Sequence, residues 1–263
     1  MDESAAARHG ADVAGLHLGS ERQPLALAAL HVQVPSVRSL DRFRLQDAGD
    51  VELRKTVEML AGVKGAAKSD LLDFIQANAT AALASSKRIS EALGRYKTSV
   101  KYPSTGLAES LKSVAQLIDA GLSTRVYYVA LDGFDTHSEQ KDAHAGLVGE
   151  LSGALAAFVQ DLSEHGHVDR VLVASFSEFG RRVRENASRG TDHGAAAPMF
   201  LAGGRVRAGL IGKHPSLTDL DDGDLKHHTD FRQVYAAILR DWLEWKTEAI
   251  LDGKYEPVAV VSV

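Results

Sequence analysis

The apolar positions change their rhythm partway along the chain. Near the start, Val13-Ala-Gly-Leu-His-Leu18 is short and mostly apolar and predicts a strand. Residues 19–50 mix Pro24, Pro35 and Gly49 with scattered apolar positions. They predict irregular structure with one short strand at Leu30-His-Val-Gln-Val34. Asp50 is placed to cap a helix over 51–61, which Gly62 and Gly65 end. From Ser69 or Asp70 to Tyr96, the positions Leu71, Leu72, Ile75, Ala79, Ala82, Ile89 and Leu93 recur at near-helical spacing. Pro103 stops that run. Thr105 then caps a further helix with Leu107, Leu111, Val114, Ala115, Leu117 and Ile118 on one face and Gly121 beyond its end.

After residue 125 the pattern is different. Val126-Tyr-Tyr-Val-Ala-Leu131 is β-branched, aromatic and nearly all apolar, which predicts a strand buried on both faces, as in a parallel sheet. Leu147, Leu151, Leu155, Phe158, Val159 and Leu162 mark an amphipathic helix over 139–165, ended by Gly166. Residues 168–176 predict the next buried strand, so that strand, helix and strand form a right-handed βαβ unit. Two more strands are expected at Met199–Ala202 and Val206–Ile211, split by Gly203-Gly204, and a last helix over 230–245 behind Thr229 or Asp230. The fold class is therefore α/β, with a largely parallel sheet flanked by helices. The helical stretch 51–120 is read as a cover on the same domain, and residues 1–11 as disordered.

Composition narrows the partners. A chain of 263 residues can bury one large core, or two small ones. Its formal net charge of −5, with no basic block, argues against nucleic acid or an anionic membrane as main partner. The absence of cysteine excludes disulfides and thiolate metal sites. No apolar run reaches the roughly 20 residues of a membrane helix. The first eight residues, Met1-Asp-Glu-Ser-Ala-Ala-Ala-Arg8, lack the basic start and apolar core of a signal peptide.

Chemistry-bearing side chains gather at three places. Asp135 and His137 follow the strand at 126–131, and their i, i+2 spacing puts both side chains on one side of extended backbone. A carboxylate with an imidazole suits zinc, manganese or iron, although the same pair equally describes a capped turn. Glu178 takes the equivalent place after the strand at 168–176, either as a partner ligand or as a helix start. Arg181 and Arg182 either bind an anionic substrate group or pair with carboxylates. Asp192 and His193 lie in Gly190-Thr-Asp-His-Gly194, where flanking glycines allow close approach to a ligand. An Asx turn does not require histidine, so metal ligation is the favoured reading there. His227 and His228 stand at a helix start, and His165 and His167 at a helix end, where capping and dipole effects explain them. No Gly-x-Gly-x-x-Gly, P-loop or Gly-x-Ser-x-Gly motif is present.

Gly133-Phe-Asp-Thr-His137, Ser177-Glu-Phe-Gly-Arg181, Gly190-Thr-Asp-His-Gly194 and Thr229-Asp-Phe-Arg232 occur in this order. Together they resemble the DUF1501 family, a branch of the alkaline-phosphatase-like superfamily of phosphatases, sulfatases and phosphoglycerate mutases. The resemblance implies an α/β sandwich and one or two divalent ions (zinc, manganese, calcium or magnesium) at strand ends. It implies Asp135 and His137 as ligands of one ion and His193 as a later ligand of the same ion. Glu178 falls where an Asp-His pair usually stands, with Phe179 in place of the histidine. A second alignment makes Asp192-His193 that pair.

The implied activity is metal-dependent hydrolysis of phosphate or sulfate esters, with a small-molecule or glycan-type anionic ester as substrate. Glu178 would serve as second ligand or general base, and Arg181 would hold the anion. The alternative is a non-enzymatic binding member of the same fold. The family's first metal-binding Asp and its Ser or Thr nucleophile find no counterpart in residues 1–50. The chain is thus expected to be N-terminally truncated. The family resemblance also implies a periplasmic or exported setting.

Overall fold

The structure is a computed structural model that describes residues 13–19, 21–28, 34–38, 40, 55, 59 and 95–262. The expected disorder at 1–11 and the helix from 69 or 70 to 96 lie outside those residues, or nearly so. Of the helix expected over 51–61, only Lys55 and Met59 are described, and both are helical. The chain divides into two compact units, residues 1–131 with 150–161, and residues 132–149 with 162–263.

The first unit holds a parallel three-stranded sheet ordered β2-β1-β3, built from β1 (Gly15–Leu18), β2 (Ser36–Val37) and β3 (Val126–Val129). The strand predicted at 13–18 is thus present as β1, whereas the one predicted at 30–34 lies outside the described residues except for Val34. The Pro35 carbonyl, just ahead of β2, accepts from the His17 amide at 2.9 Å. All four residues of β1 are buried, while β3 is half-buried along its length rather than closed on both faces. Helix α1 (Gly106–Asp119) lies on β3. It starts where Thr105 accepts a hydrogen bond from the Ala108 amide, and Gly121 takes φ +70° just past its end. Leu107, Leu111, Val114, Ala115, Leu117 and Ile118 are all buried, as their spacing predicts.

Helix α2 (Gln140–Glu164) matches the predicted helix 139–165, and Gly166 follows it at φ +72°. Its Ala154, Ala157 and Phe158 are buried in the first unit. Its Asp161 is 0% exposed, an unusual place for a carboxylate. There, hydroxyls of Tyr102 (2.7 Å) and Tyr96 (2.5 Å) donate to Oδ2 and that of Thr98 (2.6 Å) donates to Oδ1. Burial and the adjacent carboxylate push both tyrosine hydroxyls far above their ordinary range, so they remain donors.

The second unit departs from the expected βαβ arrangement. Residues 168–170 form a 3₁₀ turn, and the strand that follows, β4 (Val173–Ala174), pairs antiparallel with β7 (Leu201–Ala202). β3 and β4 therefore belong to different sheets. An apolar run reports burial and does not name the partner strand. Two hairpins are also present: β5 (Gly180–Glu185) with β6 (Thr191–Gly194), and β8 (Leu220–Asp221) with β9 (Asp224–Leu225). The strand predicted at 206–211 reduces to a single bridge from Val206 to Val261. Gly209 and Gly212 have φ of +111° and +98°, which ends extended pairing, and Leu210 and Ile211 are exposed.

The final helix is shorter than 230–245. α3 (Phe231–Ala237) widens into a π-turn over Ile238–Trp242, in which the Leu243 amide reaches the Ile238 carbonyl at 3.0 Å. Asp230, not Thr229, supplies the cap and forms a capping box with Gln233. The α3 residue Ala237 packs with Val260 and Val261, and Leu172, Leu201 and Trp242 close around them. A short helix α4 (Glu248–Leu251) precedes the C-terminal strand-like segment. Among the described residues no helix is long and apolar enough to cross a membrane.

Two outcomes test these features. Asp161→Asn leaves buried hydroxyls without a charged acceptor, so the urea unfolding midpoint should fall by the equivalent of about 2–3 kcal/mol with an unchanged slope. The Asp230 carboxyl is held down to about 2, chiefly by the Arg232 side chain. A carboxyl depressed on folding stabilises above its unfolded value of about 4 and loses that contribution as pH falls toward 2. Asp230→Asn keeps the cap but removes the charge. It should lower stability at pH 7 by roughly 0.5 kcal/mol for so exposed a pair, read as a lower melting temperature, and the gap to wild type should narrow below about pH 4.

Candidate metal centre

Residues 133–140 form a loop between β3 and α2 that is tied to the β5–β6 hairpin by both backbone and side chains. The amides of Glu139 and Gln140 each donate at 3.0 Å, to the carbonyls of Ser188 and Arg189. Thr191 Oγ1 donates to Gln140 Oε1 at 2.9 Å, and Gln140 Nε2 donates to Thr136 Oγ1 at 3.0 Å. Asn186 reaches the other way, its Nδ2 donating to the His137 carbonyl at 3.0 Å. The hairpin fits so closely that a Cβ on Gly190 would fall 2.3 Å from the His137 carbonyl carbon and oxygen.

Docked in this way, the loop brings Asp135 and His137 to His193 on β6. His193 Nε2 lies 2.7 Å from Asp135 Oδ1, His137 Nε2 lies 2.9 Å from the same oxygen, and the two Nε2 atoms are 3.2 Å apart. Among the described residues these three form a group able to hold a metal ion. Three donors of a tetrahedral zinc, each at about 2.0–2.1 Å from the ion, stand roughly 3.3 Å apart. The observed triangle is within a few tenths of an ångström of that on two edges. Protons on the two imidazoles can satisfy the contacts to Asp135, but a cation at the centre engages all three atoms at once. Hydrogen bonding by His193, with added attraction from both histidines, holds the Asp135 carboxyl below its ordinary range, so it is an anion. All three side chains are open to solvent, which leaves room for a water or substrate oxygen in a fourth position.

The ring of His193 is fixed from behind. Phe179 stacks on it at 3.7 Å and 7°, and Arg181 lies over the other part of Phe179 at 5.0 Å. His137 Nδ1 faces Asp192 Oδ1 at 3.8 Å, while Asn186 Nδ2 is 3.4 Å from that oxygen. A carboxylate beside the distal nitrogen is how metal-bound imidazoles are commonly oriented.

The six residues singled out in the sequence thus separate. Asp135, His137 and His193 converge. Asp192 stands behind His137 rather than beside the other ligands. Arg181 is the register partner of His193, and its guanidinium donates to the Phe134 carbonyl at 2.6 Å and to the Thr191 carbonyl. Its charge is 3.9 Å from Asp135. It clamps the loop to the hairpin instead of standing open for an anion. Glu178 is exposed and outside the group of three, because the parallel adjacency that was to bring it there is not formed. Asn186, Phe179 and Gln140 were not singled out. Asn186 heads an Asn-x-x-x-Gly turn, its Oδ1 accepting from the Ser188 and Gly190 amides at 2.9 and 3.0 Å, and that spacing was the available signal.

The motifs that build this group lie within residues 10–241, which match the model of a family described as "Protein of unknown function (DUF1501)". The chain belongs to the DUF1501 family. No curated protein and no solved structure matches it. In this DUF1501 chain, Gly133-Phe-Asp-Thr-His137 supplies two of the converging side chains, Gly190-Thr-Asp-His-Gly194 the third, and Ser177-Glu-Phe-Gly-Arg181 the ring stack and the clamp.

Gly190→Ala should destabilise the chain by about 1–3 kcal/mol, because the added methyl meets backbone and not a mobile side-chain end. Gly146→Ala in α2, where nothing lies within 4 Å, is the control. It should be neutral or stabilising by up to about 1 kcal/mol. Thermal melting of both variants reads the difference.

Proposed function

We propose that this DUF1501 chain is a metal-dependent hydrolase of phosphate or sulfate esters with an alkaline-phosphatase-like α/β sandwich. The observation that carries this reading is the convergence of Asp135 Oδ1 with the Nε2 atoms of His137 and His193. Two imidazoles and one carboxylate form a donor set of the catalytic zinc type, and manganese fits the same ligands. A divalent ion bound there supplies Lewis acidity toward an ester oxygen and lowers the pKa of a bound water.

The chain's own residues bind and orient. Asp135, His137 and His193 would hold the ion, and all three are open to solvent. Phe179 keeps the His193 ring in plane, and Asp192 with Asn186 keeps Nε2 of His137 turned inward. Arg181 fixes the loop and adds positive charge 3.9 Å from Asp135, which favours an anionic substrate such as a small-molecule or glycan-borne ester. A second reading has the same site binding an ion without turnover. It is favoured by the open setting of the three ligands and by the position of Glu178 outside their group.

Elemental mass spectrometry of purified wild type, His137→Ala and His193→Ala tests the site. About one equivalent of zinc or manganese is expected in wild type, with a loss of tenfold or more in each variant. A metal-free wild type after supplementation overturns the hydrolase reading. Stoichiometric metal without turnover in a phosphate- and sulfate-ester screen supports the binding reading.

A further inference from the structure

A second constellation lies in the first unit, on the β1–β2 strand pair. These strands run parallel with His17 opposite Ser36. Side chains of residues in register stand on the same face of a sheet. Ser36 Oγ accordingly lies 2.6 Å from His17 Nδ1. The other ring nitrogen, Nε2, lies 2.9 Å from Glu21 Oε1. Glu21 reaches back from beyond the end of β1 by lying against Gly19, where a Cβ would stand 2.2 Å from its Oε1. Glycine at 19 is therefore what allows the carboxylate to meet the ring. Tyr128 of β3 packs edge-on against the imidazole at 5.7 Å, and His17 is 0% exposed.

The protons follow from the partners. An ionised carboxylate only accepts, so His17 Nε2–H donates to Glu21. Nδ1 then carries the lone pair, and the Ser36 hydroxyl donates to it. A buried, held base with an orienting carboxylate behind it is the arrangement that activates a hydroxyl nucleophile. Ser36 is exposed, whereas the imidazole it meets is buried. The nucleophile is reachable and its base is shielded.

We propose that Ser36, His17 and Glu21 form a nucleophilic site for acyl transfer from carboxylic esters that needs no metal ion. The Ser36 Oγ–acyl bond forms as the hydroxyl proton passes to His17 Nδ1, and Glu21 stabilises the resulting imidazolium. The acyl carbon–oxygen bond to the leaving group breaks, and the leaving alkoxide takes the proton from Nδ1. Water then attacks acyl-Ser36 by the same proton route and releases the carboxylic acid. Ser36 is the catalytic nucleophile, His17 the base and Glu21 the positioning residue.

The test is labelling of the full chain by a fluorophosphonate probe, read by peptide mass spectrometry. Ser36 should be modified at least tenfold faster than exposed Ser216, and Ser36→Ala should abolish that modification. Glu21→Gln, at an exposed position that spares the buried ring, should slow it by roughly tenfold or more. Circular dichroism of each variant confirms the fold. Labelling should persist in a chelator, which separates this site from the metal reading. Ser36 labelled no faster than Ser216, a Glu21→Gln variant labelled like wild type, or labelling lost with the chelator would each overturn the proposal.

Discussion

The loop ahead of α2 is held to the neighbouring hairpin by a charged side chain, that of Arg181. Its guanidinium donates to the Phe134 and Thr191 carbonyls at once, so one side chain joins the loop that carries Asp135 and His137 to the strand that carries His193. Gly190 permits the backbones to touch, and Asn186 closes the far side on the His137 carbonyl. Asp135 and His137 meet His193, more than 50 positions later in sequence, within 4.8 Å because these ties are satisfied together.

The two units hold themselves by different means. In the first, burial dominates: the apolar face of α1 and the strand β1 lie inside, and the buried carboxylate of Asp161 is surrounded by hydroxyl donors. In the second, much of the chemistry-bearing region is exposed, and order comes from side-chain hydrogen bonds across the loop and hairpin, most of them to backbone carbonyls. Such bonds contribute only about 1 kcal/mol each, so they act as a set.

The sequence made some of this legible. Thr105, the spacing from Leu107 to Ile118, and Gly121 were enough to place α1, since helix periodicity and caps are local properties. β1 and β3 were also recognisable from Gly15–Leu18 and Val126–Val129, and their parallel pairing agrees with apolar character on both faces. Residues 171–176 looked the same, yet β4 pairs antiparallel with a strand nearly 30 positions later. Strand partnership is a long-range property that a local apolar run does not encode. The β5–β6 hairpin was hidden because Arg181-Arg-Val-Arg-Glu185 has little apolar alternation. The Asp222-Gly223 pair, both with positive φ, was a turn signal in plain view between β8 and β9. In the candidate metal site, Asp135, His137 and His193 stood out by residue type. The supporting Phe179, Asn186 and Gln140 did not, because their roles arise only when the loop meets the hairpin.

One consequence of that meeting concerns motion. The amides of Glu139 and Gln140 belong to a solvent-facing loop, yet both are donors to carbonyls of the 188–189 turn. They can exchange with solvent deuterium only when the loop lifts from the hairpin, and that lift also separates His137 from His193. Local opening of this region is therefore a cooperative event. The population of the assembled ligand group and the protection of two backbone amides are the same equilibrium seen from two sides.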